Sequence, residues 1–265
     1  MTTSELILSP RRVTRASVLG MLLYKAWLET RSRFVASAAV LTLLGFSTVL
    51  RAAPTIHGWE RFHDGELMPY ALYVWLSLFH GYLQFLWVIS AVILGLGGLV
   101  REHALGTSGF TLALPVGRAA IENTRAAMGV VEVLVLALIS GVIVSVLSPL
   151  AGYAYPLSQS VRFGLLLGGG GLIFYALGFL LSHVLRGEYG APALGLALSA
   201  AFYVLTKLPG LEVLNVFDLM SGKLYMVHAR YLLGPVFPFA PLAAWMSVAF
   251  VLLTVSAALV RKREF

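Results

Sequence analysis

The feature that most constrains this chain is a series of apolar runs, each about as long as a bilayer is thick and fenced by charge. The first spans Phe34 to Leu50 between Arg33 and Arg51, close to the ~20 apolar residues a helix needs to cross a hydrocarbon core. The second, Tyr70 to Val100, is interrupted only by His80, Gln84 and small polar residues. It is longer than a span requires, so it is expected to tilt or to project beyond the membrane. Further runs cover 126–150, 163–185, 191–206 and 239–260. Pro149, Pro156, Pro192, Pro209, Pro235, Pro238 and Pro241 fall at or near the proposed ends, where a missing backbone N–H costs little.

These runs predict an all-α, polytopic integral membrane protein of about six transmembrane helices. Residues 34–265 form a single transmembrane domain, after a basic tail and amphipathic helix over 1–33. Composition agrees: 59% of residues are hydrophobic and 12% charged, about half the charge that water-wetted domains carry. The chain has no Cys, which excludes disulfide frameworks, thiolate nucleophiles and Cys-ligated metals. Its net charge of +7 sits in short clusters beside the apolar runs, a pattern of membrane topology rather than of nucleic-acid binding.

Those clusters orient the chain. With the N-terminus inside, Arg11, Arg12, Arg15, Lys25, Arg31, Arg33, Arg101, Arg118, Arg125, Arg186, Arg261, Lys262 and Arg263 are cytoplasmic, and only Arg51, Arg61, Arg162, Lys207, Lys223 and Arg230 are outside. An even span number requires the same placement of both termini in the cytoplasm. The first 33 residues have no apolar core of the signal-peptide kind before their charges, so a cytoplasmic tail is expected.

Within 17–33, Leu19, Leu22, Leu23, Ala26 and Trp27 recur at the spacing of one helical face. An elbow helix is expected there, lying in the interface and turning sharply into the first span at Phe34. The external segment 207–234 is too apolar for a solvated loop, and part of it is expected to re-enter the membrane or lie on it, ahead of the last span. Gly164 and Gly168 form a G-x-x-x-G pair suited to close helix packing, within the chain or across a dimer seam. No internal repeat is evident.

Polar residues within the spans are the candidate substrate-path groups, because charge at mid-bilayer is costly. They are Glu132, near the start of the third span, and His80 with Gln84, one helical turn apart on the second. Hydrogen bonding inside the bundle is the alternative for each.

Between the second and third spans lies REHALGTSGFTLALPVGRAAIENTR, from Arg101 to Arg125. Phe110, Leu112 and Leu114 offer an apolar patch, Glu102, Arg118 and Glu122 a charged rim, and Gly106 and Gly109 tight turns, the layout of a docking surface. Glu102, the pair Gly106-Thr107 and the run Leu112-Ala113-Leu114-Pro115-Val116-Gly117-Arg118 resemble the signature of ABC type-2 transporter permeases. The resemblance extends to an amphipathic elbow, six spans, a re-entrant segment before the last span and a basic end, here Arg261-Lys262-Arg263-Glu264-Phe265.

That resemblance implies the membrane subunit of an exporter in a bacterial or archaeal plasma membrane. Glu102, Gly106, Thr107, Phe110, Leu112, Pro115 and Arg118 would form the coupling segment against a separate ATP-binding subunit. Two permease subunits, identical or related, and two ATPases would make the working unit. No cofactor is expected in this chain, and ATP with magnesium belongs to the partner. Consistently, no G-x-x-x-x-G-K-[ST] phosphate loop occurs, and Gly168 to Gly171 lie in an apolar run with no following Lys.

The competing classes are an ion-coupled carrier using Glu132 and His80, a membrane scaffold, and an intramembrane enzyme. For the last, Gly106-Thr107-Ser108-Gly109 with His183 or His228 as base is a short match in a charged loop. No H-E-x-x-H motif is present, so no catalytic or metal-binding residue is assigned.

Overall fold

The computed structural model describes residues 15–63, 66–97, 117–185, 189–227 and 230–262. Helix α1, Arg15–Leu50, is one continuous element of 36 residues, about 54 Å long at 1.5 Å per residue. The elbow expected over 17–33 is therefore the first part of α1, and the turn expected at Phe34 is absent. No Gly or Pro lies between Gly20 and Gly45 to break the backbone ladder there. The apolar stripe also has another use: Leu22, Ala26 and Thr30 are buried while Leu19 is exposed, so the stripe packs into the bundle.

After the short helix α2, Ala52–Glu60, the second span is built in three pieces. They are α3, Tyr70–Val74, a π-helical stretch Trp75–Tyr82, and α4, Leu83–Gly95. Gly81 leaves helical dihedrals at φ −114°, ψ −132°, and a Cβ there would sit 2.5 Å from the Leu76 carbonyl oxygen, so glycine permits the break. Helix α5, Arg118–Leu147, begins eight residues before the expected start at Ala126, and α6 covers Leu157–Val184. Helix α7, Gly190–Leu205, is followed by the short α8, Val216–Met220, a hairpin of β1, Met226–Val227, and β2, Leu232–Leu233, and finally α9, Phe239–Lys262.

Five helical stretches are long and apolar enough to cross a membrane: Val18–Leu50, Tyr70–Gly95, Ala119–Ala151, Leu157–Val184 and Phe239–Val260. The remaining expected span, α7, has 16 residues and reaches about 24 Å, short of a ~30 Å core.

Helix α6 is the hub, with 78% of its most apolar stretch buried against 17% for α9. Its glycines explain this, because a helix without side chains lets neighbours approach on every side. Gly164 and Gly168 pack on Ala137, Leu138 and Leu134 of α5, Gly169 meets Leu242 of α9, Gly170 meets Leu219 and Met220 of α8, and Gly171 meets Trp87 of α4. Helix α1 flanks α5 and α4. Phe79 stacks on Phe163 at 4.3 Å between the second span and α6.

Side-chain pairing defines the two ends of the bundle. One end, which carries most of the basic residues, brings together Glu29, Arg33, Ile93–Gly97, Glu122, Arg125, His183 and Ser256. At the other, Tyr73 donates to the Thr48 carbonyl at 2.7 Å, Tyr70 pairs with Ser148 at 2.7 Å and stacks on Tyr153 at 4.3 Å. There, between α5 and α6, burial pushes the Tyr155 phenol well above its ordinary pKa, which keeps it neutral.

Candidate functional site

The expected docking residues Glu102, Gly106, Thr107, Phe110, Leu112 and Pro115 lie outside the described residues. Arg118 enters only through its backbone, as the first residue of α5. The structure does describe the frame from which that segment hangs. Helix α4 ends at Gly95 and Leu96 turns extended, its amide donating to the Ile93 carbonyl at 3.2 Å, so the last carbonyls lack their regular i+4 donors. Arg33 of α1 supplies them: its guanidinium donates to the Ile93 carbonyl at 3.0 Å and to the Leu96 carbonyl. Gly97 follows at φ +142° with the Arg125 guanidinium packed against it, and a Cβ there would lie 2.7 Å from Nη2. Positive φ and the absence of space both call for glycine.

On the far side of the segment, Arg125 of α5 pairs with Glu29 of α1 at 2.5 Å, and Lys25 joins the same carboxylate at 3.4 Å. One face of α1, through Lys25, Glu29 and Arg33, therefore ties both ends of the 98–117 connection to the bundle. Arg125 is 8% exposed, so the pair is shielded from the screening that makes surface pairs weak.

Glu132 lies about two turns farther along α5 from Arg125. It is 2% exposed, and one carboxyl oxygen is hydrogen-bonded to the Thr30 hydroxyl, which also contacts the Ala26 carbonyl at 3.1 Å. Among the described residues its other oxygen, Oε2, has no hydrogen-bond partner. The structure thus seals Glu132 between α1 and α5.

Gln84 and His80 belong to a different polar group, around α8. Gln84 is 2% exposed and its Nε2 donates to the Phe217 carbonyl at 2.6 Å, while Trp75 Nε1 donates to the Ser221 carbonyl at 2.9 Å. Asn215 accepts from the Phe217 and Asp218 amides at 3.1 and 3.3 Å. Each of these bonds satisfies a backbone group of α8, the condition for irregular chain at membrane depth. The depth follows from the contacts: Leu219 and Met220 reach Gly170 and Gly171, about 20 Å along α6 from Leu157. The chain then returns, and Leu233 bonds with Gln159 while Arg162 donates to the Gly234 carbonyl at 2.5 Å. The described parts of this segment, 207–227 and 230–234, thus dip into the bundle and leave by the same end. His80 stacks on Trp75 at 4.8 Å.

Sequence reasoning missed a third group. Glu122, placed on the rim of the docking segment, is 1% exposed and faces inward, with Oε2 3.0 Å from His183 Nε2. His183 Nδ1 lies 2.7 Å from the Phe179 carbonyl oxygen and 3.0 Å from Ser256 Oγ of α9. The reason is the start of α5. With the helix begun at Arg118, Glu122 falls 7 and 11 residues before Gly129 and Val133, on the same buried stripe. Serine, histidine and glutamate in sequence suggest a hydrolytic relay, but His183 is 0% exposed and its Nδ1 is committed to a carbonyl, so no substrate reaches it. Among the described residues no group of three or more His, Asp or Glu is placed to hold a metal ion.

Between α5 and α9 lies an open apolar groove of about 1130 Å³, lined by residues such as Asn123, Ala127, Val130, Met246, Phe250 and Ala257.

No match is found among curated proteins. A family model described as ABC-2 family transporter protein matches residues 25–231, from within α1 to the residue before β2, with α9 beyond it. Carried over more than half of its length, on a bundle of apolar helices, that match shows that the chain belongs to the ABC-2 family and is a multi-pass membrane permease of the ABC transporter kind.

Proposed function

We propose that the chain is the permease subunit of an ATP-driven exporter, with ATP and magnesium bound by a separate ATPase that docks on 101–125. The observation that carries this reading is the tethering of both ends of that segment to α1, through Arg33 on the Ile93 and Leu96 carbonyls and Glu29 on Arg125. A push on the segment would then reach α1, α4 and α5 together, as coupling between a nucleotide machine and a pathway requires. Two permease subunits and two ATPases form the working unit, in a bacterial or archaeal plasma membrane with the basic end in the cytoplasm. Outward transport follows from the family resemblance.

The ion-coupled carrier gains no support from geometry, because its two residues do not converge: Glu132 sits with Thr30, and His80 with Trp75. The test is to copurify the permease with its ATPase and truncate Phe110 and Leu112 to Ala. ATP hydrolysis should continue while transport into proteoliposomes is lost. A permease that binds no ATPase, or truncations that leave coupling intact, would overturn the proposal.

A further inference from the structure

A cluster of charge lies where the segment after α7 packs on the bundle, apart from the basic end and from the 98–117 connection. Lys207 Nζ stands 3.9 Å from Asp218 Oδ1, and Lys223 Nζ stands 3.9 Å from Asp218 Oδ2. Each oxygen of one carboxylate thus faces a different ammonium, at a separation that is an ion pair and not a direct hydrogen bond. Asp218 Oδ1 is buried and, among the described residues, has no hydrogen-bond partner. The carboxylate therefore keeps two lysines close together without consuming their N–H donors.

The depth of the cluster makes such an arrangement costly. Lys207 lies over the Tyr203 ring at 5.0 Å, Tyr203 meets Phe217 at 5.0 Å, and Phe217 meets Phe174 of α6 at 5.2 Å. Phe174 is about 25 Å from the Leu157 end of a helix about 42 Å long. The charges are thus set beside the middle reach of α6 and not beyond its tip. Ionisable groups at membrane depth face a water-filled or ligand-holding cavity. One is present, an open cavity of about 460 Å³ whose lining includes Lys207, Glu212, Val213, Asp218, Lys223 and Leu224, within the range of about 300–1,000 Å³ of small-molecule sites.

The lining selects the kind of ligand. Two cations and two anions face one cavity, which suits a ligand carrying both signs close together better than a simple anion or cation. Val213 and Leu224 are exposed at the cavity, and Leu208, Leu211 and Leu214 are exposed in the same segment. That apolar rim suits acyl chains, and long lysine side chains can lie along it with their ammonium groups in the polar cavity.

We propose that this cavity binds the headgroup of a phospholipid bearing a primary ammonium, as in phosphatidylethanolamine. The phosphate accepts N–H bonds from Lys207 and Lys223, the headgroup ammonium donates to the Asp218 carboxylate, and Glu212 adds negative potential beside it. The acyl chains lie against the apolar rim. A trimethylated ammonium has no N–H to give Asp218, and a phosphoglycerol headgroup brings no cation. The site therefore discriminates between lipids that share a phosphate.

The test is native mass spectrometry of the full chain in nonionic detergent, titrated with phosphatidylethanolamine, phosphatidylcholine or phosphatidylglycerol of identical acyl chains. The first phosphatidylethanolamine should bind at least about tenfold more tightly than either of the others, the worth of one charge-assisted hydrogen bond. Equal affinity for the three lipids, or tighter binding of phosphatidylglycerol, overturns the proposal. Asp218→Asn should bring phosphatidylethanolamine down to the level of phosphatidylcholine, and discrimination that survives in that variant overturns it. Lys223→Gln should weaken both of those lipids, and unchanged binding there overturns the proposal even if Asp218→Asn does not fold. Soluble glycerophosphoethanolamine should displace the lipid only in large excess, whereas displacement at equal concentration would assign the site to a free phosphate ester and overturn the lipid assignment. The measurement needs neither an ATPase nor transport, so its outcome is separate from that of the exporter reading.

Discussion

Gly178 offers the sharpest test of how the hub is built. It sits where α6 crosses α4, and a Cβ added to it would lie 2.5 Å from the Val92 carbonyl oxygen and 3.2 Å from Val92 Cα and C. Gly95, on the facing helix, is as close in return, its Cβ position 2.5 Å from the Tyr175 carbonyl oxygen and 2.7 Å from Phe179 N. All of these are backbone atoms, so no rotamer change relieves the clash, and Gly178→Ala must push two helices apart by the better part of an ångström. Overpacking of one methyl in a tight core costs about 1–3 kcal/mol. The gain in helix propensity from Gly to Ala, about 1 kcal/mol in water, offsets part of it. Because backbone blocks backbone, the cost lies at the upper end of that range and a net loss of about 2 kcal/mol is expected, read as a fall of a few degrees in the thermal midpoint of the detergent-solubilised chain. Gly58→Ala is the control: its Cβ would meet nothing within 4 Å, so that variant should be neutral or more stable. If Gly178→Ala proves as stable as the parent while Gly58→Ala gains, α4 and α6 do not cross backbone to backbone.

Three further outcomes follow from the polar groups. Thr30→Val removes the described hydrogen bond to Glu132 and leaves a buried carboxyl unsatisfied, a loss of about 1–3 kcal/mol in the same melting assay, with Glu132→Gln retaining most of the stability. Gln84→Leu takes the donor from the Phe217 carbonyl, and a cysteine at Leu219, 4% exposed in the parent, should then react faster with an impermeant maleimide; an unchanged rate would show that Gln84 does not hold α8 in place. Arg33→Ala frees the last carbonyls of α4 and is expected to leave ATPase binding intact while lowering the coupling of hydrolysis to transport, and full coupling in that variant would remove α1 from the proposed relay.

The all-α, multi-pass character was readable because apolar length is a property of the residues themselves. Phe34, Tyr70, Phe163 and Phe239 all fall in the helices expected for them. What failed depended on neighbours. The stripe Leu22, Ala26 fits an interface or a bundle equally well, and only packing on α5 and α4 decides between them. Glu122 was set on a rim because its polarity suggested the end of a span, whereas His183, 61 residues away in sequence, lets that polarity be buried. The dip at Val216–Met220 was visible as apolarity without regular length, but its depth rests on Gln84, Trp75 and the glycines of α6.

Where these polar ties fall matters for which helices can move. In lipid, apolar side chains gain little by choosing a protein neighbour over an acyl chain, so close packing and hydrogen bonds fix a helix in place. Helices α4, α5 and α6 are joined by backbone-level contacts at Gly95, Gly164 and Gly178, which leave little room for relative motion. Helices α1 and α9 are less enclosed, with 28% and 17% of their most apolar stretches buried against 78% for α6. At the basic end, α1 is held by Glu29 and Arg33 and α9 by Ser256 on His183. A rigid core with two flanking helices on polar tethers is therefore expected. Amide exchange in nanodiscs should show α1 and α9 opening at lower free energy than α6, and exchange as slow in α9 as in α6 would refute that division.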